Sequence, residues 1–310
     1  MTTEIFYDTT AYAARSSAPS AVALGFFDGV HLGHRNVISR CVGSSCERTS
    51  IVMTFDRSPA SVLTGAPPRL LTTNDRKAAI IASLSADVLV FAPFEHIRLL
   101  TPEEFVTRVL VGELHAAHLF CGYHYRFGAG AAGDVETLRA LCARYGVGVT
   151  VCDPVTAEGD VVSSTLIRSC IERGEIERAD RLLGEPFAIA GPVSAGNHLG
   201  TTLGYPTLNL PIPTGSVLPR AGVYASSVTV DGRTFLGATN IGIHPTVGAL
   251  SRPQCETFLL DYDGGDLYDR DAVCRLLHFV RDEQRFADES ALRDRIARDC
   301  AAIRTLCRNN

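Results

Sequence analysis

The sequence predicts two domains: an α/β domain built on a parallel sheet with helices on both faces, then a small antiparallel β-barrel with a C-terminal helix. Three observations carry this expectation. Short, wholly apolar runs alternate with helical stretches through the first half, as in a parallel sheet covered on both sides. The first of these runs ends in a glycine-rich turn, Gly25-Phe-Phe-Asp-Gly-Val-His-Leu-Gly-His34, that leads into a helix. After Leu183-Gly-Glu-Pro186, helical periodicity gives way to alternating strands separated by Gly, Pro, Asn and Asp. The change of pattern sets expected domains of 1–184 and 185–310.

In the first domain Ala21–Leu24, Ser50–Phe55, Val88–Phe91, His118–Cys121 and Val147–Cys152 have strand composition. Asn36–Val42, Asn74–Leu84, Pro102–Leu110 and Val135–Tyr145 fit helices between them, with Thr73 or Asn74 and Thr101 as N-caps. In the second, Ala221–Val230, Arg233–Asn240, Glu256–Asp261 and Ala272–Arg281 alternate as antiparallel strands, and Val230-Asp-Gly-Arg233 is a hairpin turn. A closing helix from about Ser290 carries Leu292, Ile296, Ile303 and Leu306 at helical spacing.

The chain has 310 residues, 46% of them hydrophobic and 20% charged, with a formal charge of −5. This is enough to bury two cores, and the acidic balance argues against a general nucleic-acid binder. Lys77 is the only lysine, so arginine is the expected phosphate clamp. The ten cysteines form no Cys-x-x-Cys pair or zinc spacing and are expected to be reduced, mostly buried thiols. No signal segment or membrane-length apolar run is evident, so a cytoplasmic enzyme without a membrane partner is expected.

The turn at Gly25–His34 carries the most chemistry. Its glycines let backbone N–H groups approach an anion, and the helix N-terminus adds partial positive charge there. His31 and His34, three apart, project from the same side of the first turn. Two imidazoles over an anion cradle suit a reaction that builds negative charge on a triphosphate. The plainer reading is a β–α turn with two solvated histidines.

The string resembles the His-x-Gly-His signature of nucleotidyltransferases and, in its full length, the prokaryotic bifunctional riboflavin kinase/FAD synthetase family. The resemblance implies a Rossmann-like nucleotidyltransferase domain that transfers AMP from ATP to FMN and releases pyrophosphate. His31, His34 and Arg168 are its implied catalytic residues. Gly25, Phe27, Asp28, Gly29, Ser163, Ser164 and Thr165 are the implied ATP contacts, the hydroxyls lying in Val162-Ser-Ser-Thr-Leu-Ile-Arg168 at a helix start. Two further stretches follow strands and lie at the ligand edge of such a sheet. Thr54-Phe-Asp-Arg-Ser-Pro59 offers Asp56 and Arg57, and Cys121-Gly-Tyr-His-Tyr-Arg-Phe-Gly128 offers His124, Tyr125 and Phe127 for the flavin acceptor.

The second domain resembles riboflavin kinase in the same order of motifs. Leu203-Gly-Tyr-Pro-Thr-Leu-Asn209 implies Gly204 and Pro206 in a nucleotide loop, with Thr207 and Asn209 holding Mg²⁺; oxygen ligands two apart on a strand face the same way. Asn240 joins the nucleotide loop, Glu256 stands at the position of the catalytic base, and Arg281 in Phe279-Val-Arg-Asp-Glu-Gln-Arg-Phe286 is an implied flavin contact. The expected ligands are Mg²⁺, ATP, riboflavin, FMN and FAD; the oligomeric state is left open. Departures from the family pattern fall at Arg57, Ser58, His124, Thr201 and Asp269. They motivate an alternative: a specialised relative that adenylylates another phosphate compound or flavin analogue, with a degenerate or flavin-binding-only barrel.

Overall fold

Strand β2 (Ser20–Leu24) is buried throughout, and its side chains divide by alternation. Val22 and Leu24 enter one apolar cluster, while Ala21 and Ala23 enter another on the opposite face. Strand β4 (Val88–Ala92) divides in the same way, with Val88 and Val90 on one side and Leu89 and Phe91 on the other. The sheet is therefore covered on both faces, as its unbroken apolar strands require.

The computed structural model describes residues 2–44, 48–60, 69–194, 207–244 and 252–308. They divide into two compact units after Ser164. In the first, β1 (Glu4–Phe6), β2, β3 (Thr49–Phe55), β4, β5 (Ala116–Gly122) and β6 (Gly148–Cys152) form a parallel sheet of order β1-β4-β3-β2-β5-β6. Tyr12 of α1 (Thr9–Arg15) and Leu138 of α5 (Val135–Ala143) cover one face. Ile38 of α2 (Leu32–Gly43) and Ile81 of α3 (Asn74–Ser83) cover the other. Neighbouring β2 and β5 connect toward opposite edges, which puts the switch point of the topology between their C-terminal ends. The loops after β2 and β5 thus open side by side.

The helix expected at Pro102–Leu110 differs in winding. One α turn, α4 (Pro102–Glu104), runs into a π-helix over Phe105–Glu113. Over so short a run, apolar spacing does not separate the two. Elements β1 and α1 and the hairpin β7 (Thr156–Ala157) and β8 (Asp160–Val161) lack the apolar periodicity that would reveal them.

The second unit contains α6 (Ser164–Arg173) beyond its first residue, α7 (Ile176–Leu183), six strands and α8 (Glu289–Leu306). The packing divide precedes the change from helix to strand because α7 lies against the barrel: Glu177 meets His278 Nδ1 at 2.8 Å. Strands β9 (Ala188–Pro192), β10 (Thr207–Pro211), β11 (Gly222–Val230), β12 (Arg233–His244), β13 (Arg252–Leu259) and β14 (Asp271–Arg281) run antiparallel in the order β10-β13-β12-β11-β14-β9. A bridge from Ser194 N–H to Asn209 O, 2.9 Å, brings the two edges together, so the barrel is nearly closed. Among the described residues the cysteines are free thiols, most of them buried.

Arg281 binds the buried carboxylate of Asp299 on α8 through Nε at 2.9 Å and Nη2 at 2.8 Å, and Arg295 Nε adds a third contact at 3.0 Å. Removing one partner strands a buried charge. Asp299→Ala should therefore lower unfolding stability by about 3 kcal/mol, read as an earlier urea midpoint of the full chain.

Candidate active site

The loop between β2 and α2 holds an unusual backbone. Phe27, Gly29 and Val30 have φ of 53°, 82° and 40°. Left-handed backbone at Phe and at β-branched Val is costly and persists only where the surroundings fix it. Here the surroundings are polar and buried. Asp28 Oδ1 accepts from Leu71 N–H at 2.9 Å and Thr72 N–H at 3.4 Å, and Gly29 N–H donates to Thr72 Oγ1 at 3.2 Å. Ser164 Oγ donates to the Asp28 carbonyl at 3.0 Å, and the Phe26 carbonyl accepts from Thr54 Oγ1 at 2.8 Å. Asp28 thus braces the loop from within.

His31 caps α2, its Nδ1 accepting from His34 N–H at 3.4 Å. A neutral ring with Nδ1 as acceptor carries its proton on Nε2. The two imidazoles stack with centroids 3.6 Å apart and planes 18° from parallel. Gly33 permits this, since a Cβ there would stand 3.1 Å from the His31 ring. Phe27 meets His34 edge-on at 5.3 Å. Burial holds the His34 pKa well below the usual histidine range, helped by His31, Lys77 and His124, so the ring is neutral at pH 7. Its Nδ1 is buried and finds no hydrogen-bond partner in the protein.

In the neighbouring loop the aromatic residues divide between core and surface. Phe127 is buried against Phe105, and Tyr125 stacks on Phe127 at 5.9 Å; both belong to the sheet's apolar core. Phe127 and Gly133 pair as a β-bridge, and a Cβ on Gly133 would stand 2.6 Å from the Phe127 ring. The loop's exposed rings are Tyr123 and His124, 4.8 Å apart. Tyr123 was not singled out by sequence, although it sits inside the same motif. After β3, Asp56 Oδ1 accepts from Phe94 N–H at 2.9 Å and Arg57 projects into solvent. Ser163 and Ser164 open α6, with Thr165 following and Arg168 one turn further along that helix.

In the barrel, Asn209, Glu256 and Asn240 stand opposite one another on β10, β13 and β12, so their side chains share a face. Thr207, two residues before Asn209, joins them: its Oγ1 donates to Glu256 Oε1 at 2.6 Å. Asn209 is buried, with Nδ2 3.5 Å from the Thr207 carbonyl. Asn240 Nδ2 donates to Glu283 Oε1 at 3.5 Å, adding a carboxylate that the sequence reading did not single out. Gly204, Pro206 and Thr201 lie outside the described residues. Asp269 takes left-handed backbone (φ 59°), which Asp tolerates better than most residues, and its side chain is exposed. Arg281, expected at the flavin, has its guanidinium committed to Asp299 and the Asp282 carbonyl.

Residues 13–166 match the family model for FAD synthetase and residues 183–307 that for riboflavin kinase. The chain is 38% identical over 288 residues to a bifunctional riboflavin kinase/FMN adenylyltransferase of Pseudomonas fluorescens, covering 91% of each chain. It is 36% identical over 292 residues to a protein of the same description from Escherichia coli strain K12, covering 92% of each. The solved structure of a macrolide-efflux protein from Streptococcus pneumoniae superposes on 98% of this chain and 99% of its own, with a TM-score of 0.85 and 25% identity. No helix among the described residues is long and apolar enough to cross a membrane. With both family models in order and such relatives spanning nine-tenths of its length, the chain belongs to the bifunctional riboflavin kinase/FMN adenylyltransferase family of enzymes.

Proposed function

We propose that this chain converts riboflavin to FAD in two ATP-dependent steps at two sites, with residues 1–184 acting as the adenylyltransferase and 185–310 as the kinase. The stacked pair His31–His34 at the start of α2, with its unpartnered buried Nδ1, carries the reading. That nitrogen suits a phosphate oxygen, since a buried polar atom without a partner costs about 1–3 kcal/mol.

In adenylyl transfer an FMN phosphate oxygen forms a bond to the α-phosphorus of ATP. The bond from that phosphorus to the bridging oxygen breaks, and pyrophosphate leaves with the electron pair. His31 Nε2–H and the neutral His34 ring donate hydrogen bonds to the oxygens on which charge grows. Arg168 supplies fixed positive charge, the hydroxyls of Ser163 and Thr165 hold phosphate oxygens, and Ser164 and Asp28 keep the loop in shape. Asp56, Arg57, Tyr123 and His124 bound the acceptor side.

In the kinase, Glu256 accepts the ribityl hydroxyl proton as its oxygen attacks the γ-phosphorus and ADP leaves. The hydroxyl oxygen of Thr207 and the amide oxygen of Asn209 are hard donors that would hold Mg²⁺. The ion, when bound, neutralises triphosphate charge. Gly204, Pro206 and Asn240 complete the nucleotide loop, and Arg281 serves the flavin site by anchoring α8.

Label transfer tests the reading. With FMN, α-labelled ATP should give labelled FAD, and with riboflavin, γ-labelled ATP should give labelled FMN. The exposed imidazole of His124 favours a second reading in which the acceptor is another phosphate compound. An adenylylated product from a different phosphate compound, with FMN left unlabelled, would select it.

A further inference from the structure

We infer that Lys77 is a positioning residue for adenylyl transfer: its ammonium pins the Phe26 carbonyl inward, turns the Phe27 N–H toward the triphosphate, and sets a cation behind the stacked histidines. The inference rests on the adenylyltransferase reading above.

Lys77, the only lysine in the chain, is 1% exposed on α3. Burying an ammonium is costly unless it is paired and hydrogen-bonded. Its Nζ donates to the Phe26 carbonyl at 2.9 Å and to Thr54 Oγ1 at 3.4 Å, and lies 4.1 Å from the centre of the Phe26 ring. Carbonyl and N–H point in opposite directions across a trans peptide. Holding the carbonyl of Phe26 inward therefore aims the N–H of Phe27 outward, at the first left-handed residue of the loop. An arginine here would need room for a wider, planar head.

The titratable groups acting on Lys77 are Asp28 from the loop and the neutral His34 from α2; its neighbours in α3 are Asp75 and Arg76. Strands β3 and β4 offer it only Thr54 and the Phe91 ring, 6.0 Å away. Burial lowers its pKa to about 8, with Asp28 opposing the shift. The ammonium is mostly present at pH 7 and is lost as pH rises through 8.

The full chain supplies its own control, because riboflavin phosphorylation uses the other unit. In Lys77→Met, kcat/KM for ATP in FAD formation should fall about 10²-fold, with phosphorylation changed less than about twofold. The wild-type pH profile of this kcat/KM should fall along an alkaline limb near pH 8, and the Met variant should lack it. Thr54→Val, which keeps the ammonium and removes an acceptor, should move the limb to lower pH and remains informative if Lys77→Met does not fold. Adenylyl transfer within twofold of wild type in Lys77→Met, a retained limb, or an unmoved limb in Thr54→Val overturns the inference. Absence of FAD formation by the wild type would instead defeat the underlying reading.

Discussion

Replacing His34 by alanine should reduce FAD formation from FMN by about 10³-fold, with riboflavin phosphorylation changed less than about twofold. The ring is neutral and stacked on His31, with one buried nitrogen left for a ligand. Loss of a donor that acts where charge grows should appear mostly in kcat. His31→Ala should have a similar effect and also remove the cap of α2, which costs about 1 kcal/mol of stability. Rapid-quench measurement of FAD with saturating ATP separates the two consequences. A His34→Ala enzyme within tenfold of wild type would remove the histidine pair from the chemistry.

Glu256→Gln should lower riboflavin phosphorylation by about 10²–10⁴-fold and leave FAD formation from supplied FMN intact. Glutamine keeps the shape and the bond to Thr207 Oγ1 but cannot take the hydroxyl proton. Glu256 shares its face with Asn209 and Asn240, which sets it apart from an isolated strand glutamate. ADP release from riboflavin and ATP reads the loss directly. Retained phosphorylation would move the base elsewhere, Glu283 beside Asn240 being the nearest carboxylate to try.

Much of this organisation was legible in sequence, where local pattern and structure coincide. The central strands are mostly apolar runs, and the loop at Gly25–His34 shows its glycine turn and histidine spacing in the sequence. Legibility ended where long-range partners decide. Phe127 reads as a ligand-edge aromatic, and its ring is buried in the sheet's apolar core. Arg281 reads as a ligand contact but is claimed by Asp299, eighteen residues later on another element. Asp28 reads as a nucleotide contact, yet the backbone of Leu71 and Thr72 occupies its Oδ1. Lys77 carries no motif that this reading used; only burial beneath the loop reveals it.

The central claim is that one chain carries two consecutive chemistries. Purified protein incubated with riboflavin and Mg-ATP, sampled over time and resolved by chromatography, tests it most directly. FMN should rise first and then decline as FAD accumulates. Riboflavin left unchanged, together with FMN left unchanged when supplied separately, would contradict it.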